Sequence, residues 1–289
     1  MTAPVVALAT CREVAELDED DRPLLPALRE RGIVAVPAVW DDPGVDWDRF
    51  ALVVLRSTWD YPPRVGEFLR WAASVPRLAN PAPVVAWNVD KRYLADLRAA
   101  GVPVVPTAFV PPGNAPPSTD GEVVVKPAVS AGARDTARLR DPAAIADLVA
   151  RIHASGRTAM VQPYLDTVDA DGETAVVFVG GRASHAARKG PLLRAGAGPV
   201  EGLYAEESMS ARTAGAAEVA VAAAALAVVP ADDEPLLYAR VDLLPGPGGP
   251  VVLEVEVTEP SLFLGLGGAV EAFADAVARR LTSWRVLGS

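Results

Sequence analysis

Three carboxylates stand at alternating positions in two neighbouring apolar segments near the C-terminus. The segment LLYARVDLL contains Asp242, and VVLEVEV contains Glu254 and Glu256. Because residues i and i+2 of a strand share a face, and the turn PGPGGP predicts a hairpin, we expect Asp242 to lie beside the two glutamates. Carboxylates this close repel one another unless a cation compensates, so the pattern predicts Mg²⁺ bridged to nucleotide phosphates. The alternative is an edge strand protected by surface acids.

Basic residues on two strands are the catalytic candidates. Arg240 alternates with Asp242 and therefore lies on the same predicted face. A guanidinium offers several donors in fixed geometry to phosphoryl oxygens whose charge a metal only partly neutralises. We predict a catalytic role for Arg240, with an ion pair to one of the glutamates as the alternative. Arg188 and Lys189, at the end of the segment RASHAARK, are the other two candidates.

Two lysines adjoin segments that suit a chain of phosphates. Lys126 ends the apolar strand EVVVKP, and small residues follow it from Ser130 to Ala133. Backbone amides in such a loop approach phosphate oxygens, although a loop of this kind on its own is typical of an ordinary turn. Lys91 begins a predicted helix, where a solvated side chain is the alternative. Taken with the acidic hairpin, these residues predict a flap, from Ser130 to Ala137, over a triphosphate.

The segment LRSTWDYP follows an apolar N-terminal strand, at the end of a parallel sheet where ligands bind. An arginine takes a carboxylate bidentately and an aspartate holds an amine, so Arg56 and Asp60 are predicted to bind the two charges of an amino acid. The alternative is a strand end filled by aromatic side chains. The full set of substrate-binding candidates in this segment is Arg56, Ser57, Trp59, Asp60 and Tyr61.

The two histidines and the single cysteine do not predict a metal site. His153 and His185 lie on different predicted elements with no cysteine nearby in sequence, so zinc is not expected. His185 precedes Arg188 by three residues, which leaves substrate contact and simple packing equally open. Cys11 cannot form an intramolecular disulfide, as is typical of a reduced compartment.

Charge and hydropathy narrow the classes of partner. The 289 residues carry a formal net charge of −10, with a pI near 4.8, which argues against nucleic acid or an anionic membrane surface as partner. The N-terminus lacks the basic region of a signal peptide. The longest apolar run, from Val219 to Pro230, is shorter than the roughly 20 residues needed to span a bilayer and predicts a buried helix. We therefore expect a cytoplasmic protein with a small-molecule substrate.

Strands and helices alternate along the chain and would position these residues. The segments VVALA, GIVAVPAV and ALVVLRS, with helices between them, predict a parallel α/β domain over residues 1–88. Residues 89–165 contain the strands VPVVPTAFV, EVVVKP and TAMVQPYL and a helix capped by Asp141, typical of a small lobe. Residues 166–289 contain antiparallel strands, the loop 194–207, an alanine-rich helix, the acidic hairpin and a final helix.

This order of parts resembles the ATP-grasp superfamily from Asn88 nearly to the C-terminus. NVDKRYLADLRAAGVPVVPT and VVVKP resemble its two ATP-lysine segments, VQPYL its adenine hinge, ARVDLL its arginine and first metal acid, and LEVEVTEP its paired metal ligands. The last segment is similar to that of glutathione synthetase and D-alanine ligase. It departs from them at Glu256, where asparagine is usual, and at Glu259, where a small residue is frequent. The resemblance implies an α/β (α+β) fold whose second and third lobes clasp ATP.

The resemblance also assigns roles to individual residues. Implied ligands of Mg²⁺ or Mn²⁺ are Asp242, Glu254 and Glu256. The adenine is expected near Gln162, Tyr164 and Leu165. The residues expected elsewhere on the nucleotide are Lys91, Lys126, Ser130, Gly132, Glu173, Arg188 and Arg240.

The activity implied by the resemblance is that of an ATP-dependent ligase. A small amino-acid-like carboxylate becomes an acyl phosphate, which a nitrogen nucleophile attacks to form a C–N bond. The motif LRSTWDYP and the short chain look most like the branch with the O-ureido-D-serine cyclo-ligase of cycloserine biosynthesis, an antibiotic pathway. The alternatives are an intermolecular amino-acid or dipeptide ligase, a kinase acting on a hydroxyl, and an ATP-binding protein without ligase activity. The flap and the loop 194–207 are expected to close over the site, and a homodimer is a family-level expectation.

Overall fold

A computed structural model describes residues 3–193, 208–231 and 234–287 of the chain. Within these residues, thirteen strands form three separate sheets, and eight α-helices cover or connect them. Each sheet uses a continuous part of the sequence. The sheets fall in the three predicted domains, whose boundaries at residues 88 and 165 remain predictions.

The first sheet is parallel and has the strand order β2-β1-β3-β4. Its strands are β1 (Val5–Thr10), β2 (Val34–Val39), β3 (Leu52–Leu55) and β4 (Leu78–Ala79). The helices of this part are α1 (Leu24–Glu30), α2 (Val65–Ser74) and α3 (Ala82–Asn88). The central strands are buried on both faces, as their continuous apolar sequences predicted. The predicted N-terminal parallel α/β unit is therefore confirmed.

The second sheet is antiparallel, with the strand order β5-β8-β6-β7. Its strands are β5 (Ala108–Val110), β6 (Val123–Pro127), β7 (Ala137–Leu139) and β8 (Ala159–Pro163). Helix α4 (Tyr93–Ala99) precedes the sheet, and α5 (Pro142–Ala154) packs on it. The carboxylate of Asp141 accepts hydrogen bonds from the first backbone amides of α5, as predicted for its N-cap.

The predicted strand VPVVPTAFV is shorter than expected. Only Ala108–Val110 pairs within the second sheet, because the prolines at 103 and 106 carry no backbone N–H for a ladder. The preceding residues bind the third sheet instead: the N–H of Val105 donates to the carbonyl of Val252 at 2.9 Å. This segment therefore joins the two sheets.

The third sheet is antiparallel, with the strand order β11-β10-β9-β12-β13. Its strands are β9 (Glu173–Val179), β10 (Arg182–Lys189), β11 (Met209–Arg212), β12 (Tyr238–Gly246) and β13 (Gly249–Glu256). The helices of this part are α6 (Thr167–Asp171), α7 (Ala216–Leu226) and α8 (Ala269–Leu287). Strands β12 and β13 form the hairpin that the alternating acids predicted.

Helix α7 differs from the fully buried helix expected from its apolar composition. Within it only Ala222 and Ala225 are buried, and several other alanines are exposed. An alanine side chain is so small that leaving it in water costs little, so one packed face holds this helix on the sheet. No helix in the described ranges is both long and apolar enough to cross a membrane.

The first and third sheets share a core and a buried polar link. Apolar residues of β1 and β3 pack in one cluster with residues of β9, β12 and α8. The Asn80 amide donates to the carbonyls of Tyr238 and Val257, both at 2.8 Å, and accepts from the N–H of Leu237. Because these groups are buried, their mutual hydrogen bonds keep the N-terminal sheet in a definite position over the hairpin.

Candidate active site

The hairpin β12–β13 places acidic and basic side chains opposite each other. Asp242 pairs with Glu254 across the two strands, and Arg240 pairs with Glu256. The Arg240 guanidinium donates to both oxygens of Asp242, at 2.8 and 2.9 Å, and also to Glu256. The alternation predicted from the sequence therefore brings all four side chains to one cleft.

Lysines from three parts of the chain complete this charged cluster. Lys126, at the end of β6, donates to Glu254, and the Lys91 Nζ lies 3.8 Å from the other oxygen of that carboxylate. The Nζ of Lys189 lies 3.0 Å from Asp242 and 3.1 Å from Glu173. Four acids and four basic side chains thus alternate along the floor of the cleft.

The pKa values of the acids follow their partners. Burial opposes ionisation of Asp242, but the charges of Arg240 and Lys189 outweigh burial and hold its pKa below the usual range. For Glu256, burial raises the pKa and Arg240 lowers it, while Asp242 and Glu254 raise it again, so the net shift is upward. The cluster therefore contains both firmly ionised and more readily protonated carboxyls.

The predicted metal ligands share the cleft but do not form a ready-made metal site. Among the described residues, no group of three or more Asp, Glu, His or Cys side chains has an arrangement that could hold a metal ion. Instead, each carboxylate contacts a basic side chain, Arg240 for Asp242 and Glu256, and Lys126 for Glu254. Metal binding by these three acids remains a prediction and requires some of these contacts to be exchanged.

Further residues predicted for the nucleotide line the same cleft. Ser130 and Gly132 border the cleft, and the carbonyl of Ser130 accepts a hydrogen bond from the Lys91 Nζ at 2.9 Å. Gln162 Nε2 donates to Thr107 at 2.8 Å, whereas its Oε1 is buried without a hydrogen-bond partner in the described part of the chain. An unpaired buried acceptor is costly unless a ligand supplies a donor.

A small apolar cluster stands beside Gln162 and was not predicted. Val105, Val168 and Leu244 form its centre, with the predicted residues Tyr164 and Leu165 packed against it. All five line the cleft. A narrow apolar slot with one amide at its edge suits a planar heterocycle. Sequence analysis missed three of these residues because they lie on segments separated by more than 60 positions.

Arg188 does not lie at the cleft, contrary to the prediction. Its guanidinium donates to the backbone carbonyls of Asp171 and Ala170, at 2.8 and 3.0 Å. Neighbouring residues of a strand point to opposite faces, so the orientation that brings Lys189 to Asp242 turns Arg188 away. The structure therefore places Arg188 away from the cleft, and its catalytic role stays a prediction that this position does not support.

Three of the five substrate-binding candidates in LRSTWDYP are also turned away from the cleft. Arg56 is buried against Asp21, with its Nη2 2.7 Å from that carboxylate, and Ser57 donates to the same aspartate at 2.9 Å. Asp60 accepts hydrogen bonds from Trp40 and Arg64. These contacts use most of the polar atoms of the three side chains, although Arg56 Nη1 is buried without a hydrogen-bond partner among the described residues. The structure therefore does not bring Arg56 and Asp60 together in the cleft, and their binding of a zwitterion stays a prediction.

Trp59 and Tyr61 do line the cleft, and both lie near Glu259. The Trp59 Nε1 donates to the Glu259 carbonyl at 3.0 Å, and Tyr61 lines the cleft close enough to the Glu259 carboxylate to affect its pKa. Burial, with the charge of Glu256, raises the pKa of Glu259 to about 8. Glu259 was noticed in the sequence only as a departure from a family pattern, and its place in the cleft was missed.

His185 packs behind the cleft instead of entering it. Its Nε2 donates to the carbonyl of Leu262 at 2.7 Å, and burial lowers its pKa. The neutral ring therefore supports the segment after Glu259, which contributes Ser261 and Phe263 to the wall. Of the two interpretations left open by the sequence, the structure favours packing.

The whole cleft has a volume of about 870 Å³ and is bounded by the two antiparallel sheets and by the segments that follow β1 and β3 of the first sheet. This volume lies near the upper end for small-molecule sites, roughly 300–1,000 Å³, and leaves room for a nucleotide and a small acid together. Buried basic groups beside acids are the arrangement that phosphoryl transfer needs.

Comparison with known proteins identifies the family. A family model described as the N-terminal domain of the D-cycloserine synthetase DcsG matches residues 6–80. The cycloserine biosynthesis protein DcsG of Streptomyces lavendulae is 42% identical to this chain, over 96% of the chain and 99% of the relative. The chain belongs to the DcsG family. Its membership confirms the predicted ATP-dependent ligase class.

Solved structures confirm the fold. The crystal structure of D-cycloserine synthetase DcsG superposes with a TM-score of 0.88 at 40% identity, covering 96% of this chain and 99% of that one. D-alanine–D-alanine ligase from Bacillus anthracis, complexed with ATP, has a TM-score of 0.71 at 13% identity over the full length of both chains. An ATP-grasp RimK domain protein from Sphaerobacter thermophilus has a TM-score of 0.66 at 17% identity, covering 96% and 99%. The DcsG family therefore has the ATP-grasp fold.

Proposed function

We propose that this protein closes O-ureido-D-serine to D-cycloserine at the expense of ATP. The observation that carries the proposal is the 42% identity to the cycloserine biosynthesis protein DcsG across nearly the whole chain. The charged floor of the cleft supports it, because a carboxylate and a triphosphate both need the basic side chains found there.

The nucleotide is proposed to lie between the second and third sheets. Its adenine fits the apolar slot at Val105 and Leu244, with the unpaired Oε1 of Gln162 as acceptor for the amino group. Its phosphates meet Lys91 and Lys126, whose present partner is the carboxylate of Glu254. A phosphate oxygen carries the same sign of charge as a carboxylate and can take over part of these contacts.

The donor set of the hairpin fits Mg²⁺ or Mn²⁺. Asp242, Glu254 and Glu256 present carboxylate oxygens, which are the ligands that both hard cations prefer. When bound, the cation would neutralise phosphate charge and polarise the phosphoryl group for transfer. Arg240 lies within hydrogen-bonding distance of two of these acids and is proposed to stabilise the equatorial oxygens of the transferring group.

The reaction requires two bond-forming steps. A carboxylate oxygen of the substrate attacks the γ-phosphorus, the bond to ADP breaks, and an acyl phosphate forms. The nitrogen bound to oxygen in the ureido group then attacks the acyl carbon, loses its proton and expels phosphate. Because D-cycloserine lacks the carbamoyl group, hydrolysis must remove that group as CO₂ and NH₃. Intramolecular attack needs orientation more than a second binding site.

The first test is ADP and phosphate release with Mg²⁺ and ATP, with mass analysis of the products. O-ureido-D-serine should stimulate ADP release and yield D-cycloserine, whereas D-alanine and D-serine should not. The L isomer of the substrate is the matched control for stereochemistry.

Three results would contradict ring closure in different ways. A dipeptide product from D-alanine would indicate an intermolecular ligase. A stable phosphoester without any amide would indicate a kinase. ATP binding without ADP release on O-ureido-D-serine would exclude that compound as substrate.

A further inference from the structure

Glu259 lies on the cleft wall that faces the N-terminal sheet, three residues after Glu256. The Trp59 Nε1 donates a hydrogen bond to its carbonyl, and Tyr61 lines the same part of the cleft. Two residues further on, the carbonyl of Ser261 accepts a hydrogen bond from Arg240 Nη1 at 2.9 Å. Glu259 therefore stands between the basic cluster and the aromatic residues after β3.

The surroundings of Glu259 differ from those of the other cleft acids. Asp242, Glu254, Glu256 and Glu173 each contact a lysine or arginine. In the described part of the chain, Glu259 forms no ion pair and is partly buried. Its pKa of about 8 reflects that environment, since burial and the charge of Glu256 oppose its ionisation and outweigh the favourable charge of Lys91. A carboxyl placed in this way interacts most favourably with a cation supplied by a ligand.

We propose that Glu259, with Tyr61 as its hydrogen-bond donor, binds the α-ammonium group of the substrate and so selects amino acids. The inference rests on the proposed function, in which the substrate carboxylate faces the lysines and Arg240. The ammonium of an amino acid is attached to the carbon next to that carboxylate. It therefore needs an acceptor at the edge of the basic cluster, which is the position of Glu259.

Tyr61 has a fixed position on this side of the cleft. The tyrosine is 2% exposed, and its ring stacks on Phe68 with a centroid distance of 4.5 Å. A ring packed in this way has little freedom, so its hydroxyl is proposed to donate to one Glu259 oxygen and to leave the other for a ligand.

Asp60 and Asp20 are the competing acids on this side of the molecule. Asp60 is bonded to Trp40 and Arg64 and does not line the cleft. Asp20 does line it, and one of its oxygens is buried without a partner in the described residues. Its other oxygen accepts a hydrogen bond from the backbone N–H of Gly265 at 3.4 Å. Asp20 is separated from Glu259 in the sequence and is the second candidate for binding the ammonium group, so it is replaced in the experiment as well.

The experiment compares O-ureido-D-serine with 3-(ureidooxy)propionic acid, which lacks only the amino group. The wild-type protein should prefer the amino acid on the order of 10²-fold in kcat/KM for ADP release, because removing one partner of a buried charge pair has effects of that size. In Glu259→Gln this preference should fall below about tenfold, because kcat/KM decreases for the amino acid and stays unchanged for the acid without the amino group. The KM for ATP should not change.

Two further variants show whether the preference for the amino acid depends on Glu259 and Tyr61. Glu16→Gln removes the same charge from an exposed position outside the cleft and should keep the wild-type preference. Tyr61→Phe removes only the proposed hydrogen bond to Glu259 and should reduce the preference less than Glu259→Gln does.

The inference is overturned if Glu259→Gln keeps the preference for the amino acid, or if its kcat/KM falls equally for both acids. It is also overturned if Asp20→Asn, and not Glu259→Gln, abolishes the preference. Each of these results leaves ring closure by the wild-type protein intact. If the wild-type protein does not act on O-ureido-D-serine, the proposed function fails separately from this inference. The acid that does stimulate ADP release is then compared with its analogue without the amino group. If the protein prefers an acid that has no amino group, this inference is overturned as well.

Discussion

Lys126 is the side chain through which the second sheet reaches the acids of the third. It contacts Glu254, and Lys91 lies on the other side of the same carboxylate. Burial opposes ionisation of Glu254, but the charges of Lys126 and Lys91 outweigh it and keep its pKa well below the usual range. The two lysines therefore favour the ionised form of Glu254, and the acid keeps both lysines at the place proposed for the phosphates.

Replacing Lys126 with alanine should raise the KM for ATP roughly 10- to 100-fold, with a smaller effect on the KM for the acid. A hydrogen bond to a charged group contributes about 1.5–3 kcal/mol, which corresponds to that range. Steady-state kinetics with each substrate varied in turn measures both constants. Arg151→Ala, an exposed basic residue on α5, is the control and should leave both unchanged. An unaltered KM for ATP in Lys126→Ala would move the phosphate site elsewhere.

At the scale of elements, the turn between α6 and β9 controls the position of β10. Gly172 has φ of 70° and ψ of −168°, a conformation almost confined to glycine. A Cβ atom at this position would overlap the carbonyl oxygen of Lys189 and lie 3.1 Å from the Arg188 Cζ. Since Lys189 connects Asp242 with Glu173, the backbone of this turn and the charged floor are packed together.

Gly172→Ala should lower activity by more than tenfold and destabilise the protein by at least the roughly 1–3 kcal/mol that a residue in this glycine-only conformation costs. The physical reason is that β10 must shift and carry Lys189 with it. Gly156→Ala is the matched control, because Gly156 also has a positive φ, 76°, but has open space around it. Urea unfolding and ADP release are measured on both variants. Equal activity in the two would show that Lys189 tolerates the shift.

A second element contact explains why the segment LRSTWDYP carries an arginine. Arg56 and Asp21 are 1% and 2% exposed, and Arg56 Nη2 also donates to the carbonyl of Pro260 at 3.0 Å. The pair therefore connects the end of β3, the loop before α1 and the wall that holds Glu259. A charge pair this deeply buried contributes more to position than to net stability.

At the scale of the whole molecule, the cleft is bounded by both antiparallel sheets and by segments that follow strands of the parallel sheet, so a ligand bound there should stabilise the fold as a unit. A ligand at 100 times its Kd adds about 2.7 kcal/mol to the free energy of unfolding. We expect a non-hydrolysable ATP analogue with Mg²⁺ to raise the Tm by several degrees, and EDTA to remove much of that rise. The proposed metal ligands predict this dependence.

Thermal unfolding of the wild-type protein and Glu254→Gln, each with and without Mg²⁺, measures the effect. The variant should have a lower Tm without ligands, because Lys126 and Lys91 lose the charge of Glu254. It should also lose the Mg²⁺-dependent part of the rise. A rise of the same size with EDTA as with Mg²⁺ would contradict metal binding at the hairpin.

Local patterns in the sequence determined several features of this protein. The period of two in LLYARVDLL and LEVEV set which residues of the hairpin share a face, and the capping signal at Asp141 set the start of α5. The order of strands and helices, with the resemblance they carry, indicated the ATP-grasp fold. These features depend on residues within a few positions of one another, where backbone geometry alone relates sequence to structure.

Only the tertiary structure decided which faces of the strands and helices contact one another. Arg188 and Lys189 look equivalent in the sequence, yet the packing of the third sheet directs one toward Asp242 and the other toward backbone carbonyls. Residues about 200 positions apart in the sequence are in contact here: Arg56 donates to the carbonyl of Pro260, and Trp59 donates to that of Glu259. These contacts bury Arg56 and place Glu259 near Tyr61. Such contacts depend on how separate sheets pack, and no pattern within a single strand or helix contains that information.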